Sequence, residues 1–447
     1  MKAKSSWKRI LRILLWVVTA VFLIILIILA PTINDYLRIM SAHSAKVTCS
    51  ERYIAGRAFH DIIATDINER EVLGIPALRM VRVSENSEAQ SIQTSLLGTP
   101  LYRDEAVFRE GFGCVLVDDQ SYEQLRASVA PARQDREDAG IWPLGDDVES
   151  VDNPQLDAAL EAAFFDSRTG DSIGTRAVVV VHDGKIVGER YAQGFDSETP
   201  LIGWSMSKTV TAALAGIMLE ETELTLDSTQ LFPDWQDERA NIPVRDLLSM
   251  SDGLDFENGT AQPSDELRQL YFTDNTVDYA LEKPAAFPTN EQFNYSNGSV
   301  SLVIGLIRAQ VEGETAWVNY PYEKLFDPIG MKTVVFETDA AGNFVGSSLV
   351  YASARDWARF GLLLLEDGNW FGEQVLPEGW ADYMATPNST TNGGWYGNGF
   401  TWLGEQAWNM GVDIPADDYW LSGFDGQFVI IIPSEELVIV RMGFTPN

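Results

Sequence analysis

The 447-residue chain carries 65 acidic against 32 basic residues, a formal net charge of −33. That argues against a nucleic-acid binder, which needs clustered Lys and Arg to neutralise phosphate, and leaves no basic face for an anionic bilayer outside the N-terminus. With 45% hydrophobic residues the chain is ordinary globular material, too long for one small domain and long enough for a sizeable core.

The basic residues that do cluster are Lys2, Lys4, Lys8, Arg9 and Arg12, ahead of the first acidic residue, Asp35. Between them lies an apolar run over 13–30, broken only by Thr19 and ending at Pro31. About 18 such residues approach the span of a bilayer core. A secretory signal has a shorter apolar region and a small-residue cleavage site, and no clear Ala-x-Ala follows here. The expectation is an uncleaved signal-anchor over 1–35, an N-terminal transmembrane helix with its basic flank inside and everything after it outside the cytoplasm, on the periplasmic side in a Gram-negative cell. A cleaved signal peptide is the alternative. Residues 36–150 form an N-terminal extracytoplasmic region with no role assigned, ending in the polar stretch 133–152. It holds Cys49 and Cys114, which either pair as a disulfide or remain buried thiols. Neither has a metal-ligand spacing.

From 151 to 447 the chain reads as one catalytic-sized domain. Leu156 to Phe165 has helical spacing. Two β-rich runs, 177–182 and 185–191, flank Asp183-Gly184, a hairpin signal. A helix follows over 206–219, with apolar residues at Val210, Leu214, Ile217 and Met218. Helical pattern and loops fill 225–340, and two buried strands, 427–433 and 436–442, close the chain. Strands supplied from both ends imply an α+β fold: an antiparallel sheet flanked by helices, with an inserted, mostly helical subdomain.

Ser205-Met206-Ser207-Lys208 opens the 206–219 helix. A hydroxyl and an amine three residues apart share one helix face, where the amine can take the proton of a nucleophilic serine. The same residues also read as a helix start, with Ser205 as N-cap and Lys208 solvated. The three histidines, His43, His60 and His182, all precede Ser205, which rules out a Ser…Asp…His order, and no Gly-x-Ser-x-Gly elbow is present. His182 falls at the hairpin tip as a solvated side chain. No cofactor or metal is implied. In Phe293-Asn294-Tyr295-Ser296-Asn297-Gly298, a phenol beside an ammonium would have a lowered pKa and could shuttle a proton, while Asn297 could bind a substrate carbonyl. The segment is equally good turn chemistry. Leu421-Ser422-Gly423-Phe424, just before the terminal strands, could offer a backbone N–H to an oxyanion, or simply be a hairpin turn.

Taken in order, these segments resemble the serine β-lactamase and penicillin-binding-protein superfamily, in the class C-like branch with 6-aminohexanoate dimer hydrolase and class C-like esterases. Ser205-x-x-Lys208 and Tyr295-Ser296-Asn297 match its first two motifs. The run from Val244 to Leu254 is similar to its "LLTHTSGL" segment, and the run from Ser353 to Gly361 to its "SARDLARFG" helix. The resemblance covers about 150–445. It implies a β-lactamase-like fold and an acyl-serine hydrolase with Ser205, Lys208 and Tyr295 as catalytic residues. Asn297, Gly423 and Phe424 would bind substrate, the Phe424 N–H serving as second oxyanion donor. The family's Lys-Thr-Gly is missing: Leu421-Ser422-Gly423-Phe424 stands in its place, and Lys332-Thr333-Val334 comes too early and lacks the glycine. Without that lysine, small-molecule or peptide-like amides and esters are expected over β-lactams. A cell-wall carboxypeptidase or transpeptidase, a β-lactamase, and a non-catalytic binding protein on the same fold are the alternatives.

Overall fold

The computed structural model describes residues 3–70, 77–100, 102–117, 129–134, 140–149, 151–257, 263–404 and 414–445. The polar cluster 135–139 lies outside the described residues. The chain begins with one helix, α1 (Ala3–Tyr53), which continues through Pro31, where the apolar run ends. Among the described residues no helix is long and apolar enough to cross a membrane; side chains 20 and 22–28 of that run lie outside the described set. The C-terminal part of α1 packs on a four-stranded antiparallel meander, β1 (Val81–Asn86), β2 (Ser91–Leu96), β3 (Arg103–Arg109) and β4 (Gly113–Val117). A disulfide between Cys49 on α1 and Cys114 on β4 fastens the helix to the sheet.

After helix α2 (Pro154–Ala162), capped by the Asn153 side chain, come strands β5 (Thr175–His182) and β6 (Lys185–Tyr191). Both turn residues between them, Asp183 and Gly184, have positive φ (51° and 68°), the geometry that suits a two-residue hairpin. Three further strands near the C-terminus, β8 (Tyr419–Gly423), β9 (Gln427–Ile432) and β10 (Leu437–Gly443), join β5, with the short β7 (Trp402–Leu403) at the far edge. Among the described residues the order is β7-β8-β9-β10-β5-β6, antiparallel throughout. The expected sheet built from both ends of the region is therefore present. Its Val- and Ile-rich strands are buried because α6 (Ala354–Leu365) lies across β5, β9 and β10. Gly361 permits that approach: a Cβ there would sit 2.6 Å from Val438 and 2.8 Å from Val429.

The central helix, α3 (Met206–Glu221), is buried from Met206 to Met218. Its apolar residues run round every face, as expected for a helix with no solvent side. Against it packs α5 (Asn297–Gln310), and α4 (Asp265–Tyr271) packs in turn on α5 and on α1.

The two ends of the protein are joined by buried charge. Lys46 and Ser50 on α1, together with the Cys114 N–H, all donate to the fully buried Glu337 carboxylate. Arg57 and Arg176, the latter on β5, share Glu51 and Asp66. The described parts of 133–152 are also held: Arg133 donates to Asp327, Met331 O and Val334 O, while Arg359 of α6 donates to Pro143 O, Gly145 O and Asp146. Removing one partner of a buried pair leaves the other charge uncompensated. Glu337→Ala should therefore cost about 3–5 kcal/mol of stability in denaturant unfolding. A loss under about 1 kcal/mol would show that this carboxylate does not couple α1 to the rest.

Candidate active site

Ser205 sits on a sharp turn between the short strand Leu201–Ile202 and α3. The strand pairs with Val350–Ala352, and the Gly203 N–H donates to Val350 O at 2.8 Å. Gly203 has no room for a side chain, since a Cβ would lie 2.3 Å from the Trp357 ring. Trp204 has φ 46°, a region an aromatic residue seldom occupies, so the packing around it must hold the turn in place. Its indole stacks on His43 at 6.4 Å and meets Phe424 edge-on at 6.1 Å. Ser205 occupies the N-cap position, yet its side chain makes no capping bond. Its hydroxyl is directed elsewhere: Lys208 Nζ lies 3.1 Å away, and the Tyr295 phenol hydrogen-bonds to it.

Lys208 is 1% exposed, so the solvated-lysine reading does not hold. Besides Ser205, its Nζ donates to Asn297 Oδ1 at 2.8 Å and to Ser347 O at 2.9 Å. The three acceptors match the three N–H donors of the ammonium; on losing a proton the amine can keep its bonds to the two carbonyl oxygens and turn its lone pair to the serine hydroxyl. Burial lowers the pKa to about 8, against a weaker opposing pull from Glu266. Nζ also lies 4.9 Å from the centre of the Tyr295 ring.

Tyr295 differs from expectation. Burial, followed by the Glu266 carboxylate, raises its pKa, and the hydrogen bond to Ser205 only partly offsets this. The phenol is therefore protonated at neutral pH. The expected lowering fails because burial of the ring, with the Glu266 carboxylate beside it, outweighs any help a neighbouring amine gives the phenolate. The loop carrying Tyr295, which leads into Asn297 at the start of α5, is clamped by the segment 244–256. Asn294 N–H donates to Met250 O, and Asn294 Nδ2 to Phe256 O. Ser296 caps α5 through the Ser299 N–H, and the Ser299 hydroxyl donates to buried Asp252. Burial raises Asp252 to about 6.

On the other side, β8 runs directly against the nucleophile turn. A Cβ on Gly423 would come 2.1 Å from Gly203 O, so only glycine fits there. This brings the backbone after Gly423 beside Ser205. Among the described residues neither the Ser205 nor the Phe424 N–H has an acceptor. Ser205, Tyr295, Asn297, Gly423 and Phe424 line one cavity of about 670 Å³, with Lys208 beneath it. The structure thus brings all six candidate residues together. His182 is exposed, as expected from the hairpin.

Three cavity residues escaped the sequence reading. Glu266 lines the site with a buried Oε1 that lacks a partner among the described residues, and burial raises its pKa. His43 and Arg70 come from the N-terminal region. No motif marks any of them, because only tertiary approach places them there.

Residues 160–443 match the family described as beta-lactamase. No curated protein matches the chain significantly. Among solved structures, a protein described as a candidate 6-aminohexanoate-dimer hydrolase from Bacillus anthracis is 24% identical with a TM-score of 0.53, covering 71% of this chain and 82% of that one. A penicillin-binding-protein homologue from Caulobacter crescentus is 16% identical with a TM-score of 0.52, covering 67% and 94%. A family VIII carboxylesterase is 15% identical with a TM-score of 0.51, covering 67% and 94%. Identities this low show a shared fold alone.

An amine with a pKa of about 8 is roughly one-tenth neutral at pH 7. The rate of Ser205 labelling by a fluorophosphonate should therefore rise about tenfold per pH unit towards 8 and level off above it. Lys208→Arg, which keeps its proton, should label at least about 10²-fold more slowly. A flat profile between pH 6 and 9 would remove Lys208 as the base.

Proposed function

The chain belongs to the beta-lactamase family and is a serine hydrolase, and from that premise we propose that it cleaves an uncharged ester or amide through an acyl-Ser205 intermediate. The reading rests above all on Lys208 Nζ, buried with two carbonyl acceptors and the Ser205 hydroxyl as its partners. As the neutral amine takes the hydroxyl proton, Oγ attacks the substrate carbonyl carbon. The oxyanion that forms is held by the backbone N–H groups of Ser205 and Phe424. Asn297, whose Oδ1 is occupied by Lys208, offers Nδ2 to the substrate carbonyl group. Tyr295, still protonated, gives its proton to the departing alkoxide or amine and is resupplied from Lys208. Water then attacks the acyl-enzyme, losing its proton along the same route, and Ser205 is released.

The electrostatics favour uncharged substrates. The strand beside the site carries Leu421-Ser422-Gly423-Phe424 with no lysine, and the cation near it, Arg70, is paired with Asp425. A β-lactam carboxylate would have to compete with that aspartate.

The basic N-terminal flank and the apolar run 13–30 are proposed to hold the chain to a bilayer, with the remainder outside the cytoplasm. Support comes from the outward-facing Leu11, Leu15, Trp16, Val18 and Val21 on α1 and from the Cys49–Cys114 bond, which suits an oxidising compartment.

With p-nitrophenyl acetate, Ser205→Ala should lower kcat by about 10⁴-fold or more, and Tyr295→Phe by about 10²–10³-fold with the labelling of Ser205 retained. Wild-type turnover by the Ser205 variant would end the acyl-serine reading. The full chain should float with liposomes while a chain starting at Asn34 stays behind; equal flotation would remove the anchor.

A further inference from the structure

The family match begins at residue 160, yet one wall of the cavity at Ser205 is made by earlier residues: Tyr36, Ile39, Met40 and His43 on α1, with Arg70 and Leu78 beyond it. This wall faces apolar side chains from the hydrolase domain, including Leu267, Leu270 and Phe428. The cavity therefore offers an acyl chain apolar surface on both sides.

Two polar atoms interrupt the apolar wall. His43 and Arg70 are each 8% exposed, and His43 Nε2 and Arg70 Nε are buried without a hydrogen-bond partner among the described residues. His43 Nδ1 lies 2.7 Å from the Tyr271 hydroxyl. Burial raises the pKa of that phenol, so it keeps a proton to donate to Nδ1. Burial, helped by the charge of Arg70, lowers His43 well below its usual value, so the ring is neutral. The tautomer that satisfies the Tyr271 proton leaves the hydrogen on Nε2. Both unpartnered atoms are thus N–H donors. Buried donors left unmade are costly; both are closed off as the side chains stand, and a rotation that turns either N–H to a ligand oxygen in the cavity would relieve it. The Arg70 charge is already met by Asp425, so the wall presents donors without a free cation.

We infer that this wall, supplied from outside the family domain, is a substrate subsite that takes an uncharged acyl chain against Ile39, Met40 and Leu78 and an oxygen on that chain at His43 Nε2 and Arg70 Nε. The inference rests on the acyl-Ser205 reading, and the test separates the two.

The full chain is assayed with p-nitrophenyl acetate, hexanoate, a hexanoate with one chain methylene replaced by oxygen, and the monoester of adipate. A buried methylene favours binding by roughly fourfold, so hexanoate, with its longer chain, should exceed acetate by at least about tenfold in kcat/KM. The adipate ester, ending in a carboxylate, should fall at least about tenfold below hexanoate. Met40→Trp, which fills the wall, should lower the hexanoate-to-acetate ratio about tenfold. His43→Phe should raise KM for the oxygen-bearing ester about fivefold relative to hexanoate. Should Met40→Trp fail to fold, the wild-type series and the His43 comparison still decide. Acetate turnover with the three longer esters within about threefold of it would overturn the subsite and leave the acyl-Ser205 reading standing. No turnover of any ester and no labelling of Ser205 would overturn both.

Discussion

A lysine amine buried at the middle of the protein is the constraint around which the rest is arranged. Lys208 lies on a helix with no solvent face, so its amine must find partners inside or not be buried at all. Three separate pieces of chain bring those partners. The N-terminus of α5 supplies Asn297, the loop before Val350–Ala352 supplies Ser347 O, and the first turn of α3 supplies Ser205. Much of the surrounding structure fixes these approaches. The Asp252–Ser299 bond sets the start of α5, and the Ser207 hydroxyl ties α3 to the Val350 N–H. The burial that makes the amine expensive also moves it towards the neutral form a base requires. Stability and reactivity at this point follow from one act of desolvation.

The sequence disclosed the parts of the fold whose signals are local. The Asp183-Gly184 hairpin, the closing strand pair and the helix after Ser205 all stand where their periodicity places them, because β-branched runs and turn residues act over a few positions. The candidate residues were legible because they sit in short ordered motifs. Their protonation was not. The direction of the Tyr295 shift depends on how deeply the ring is covered and on Glu266, which no motif announces. His43 and Arg70 were invisible as cavity residues for the same reason: they reach the site only after α1 has docked, an event encoded in Cys49, Cys114, Lys46 and Glu337 jointly.

The attachment of the N-terminal region is unusually polar at its heart. Glu51, Asp66, Arg57 and Arg176 form one buried group, and Glu337 receives donors from α1 and from β4. A greasy interface would tolerate sliding. Buried charges must meet their partners in register, so this interface has few alternative alignments. The position of α1 over the cavity is consequently well specified, although no Lys208-like motif lies within it.

Trp204 joins these two halves of the molecule. Its main chain adopts the left-handed turn that presents the serine, while its indole is held between His43 from α1 and Phe424 from the β8–β9 turn. Any molecule lodged beside His43 leans on the ring whose own backbone aims the hydroxyl. Recognition at the periphery and aim at the centre thus meet in one side chain, so a change at His43 or Phe424 also bears on the turn that presents the serine.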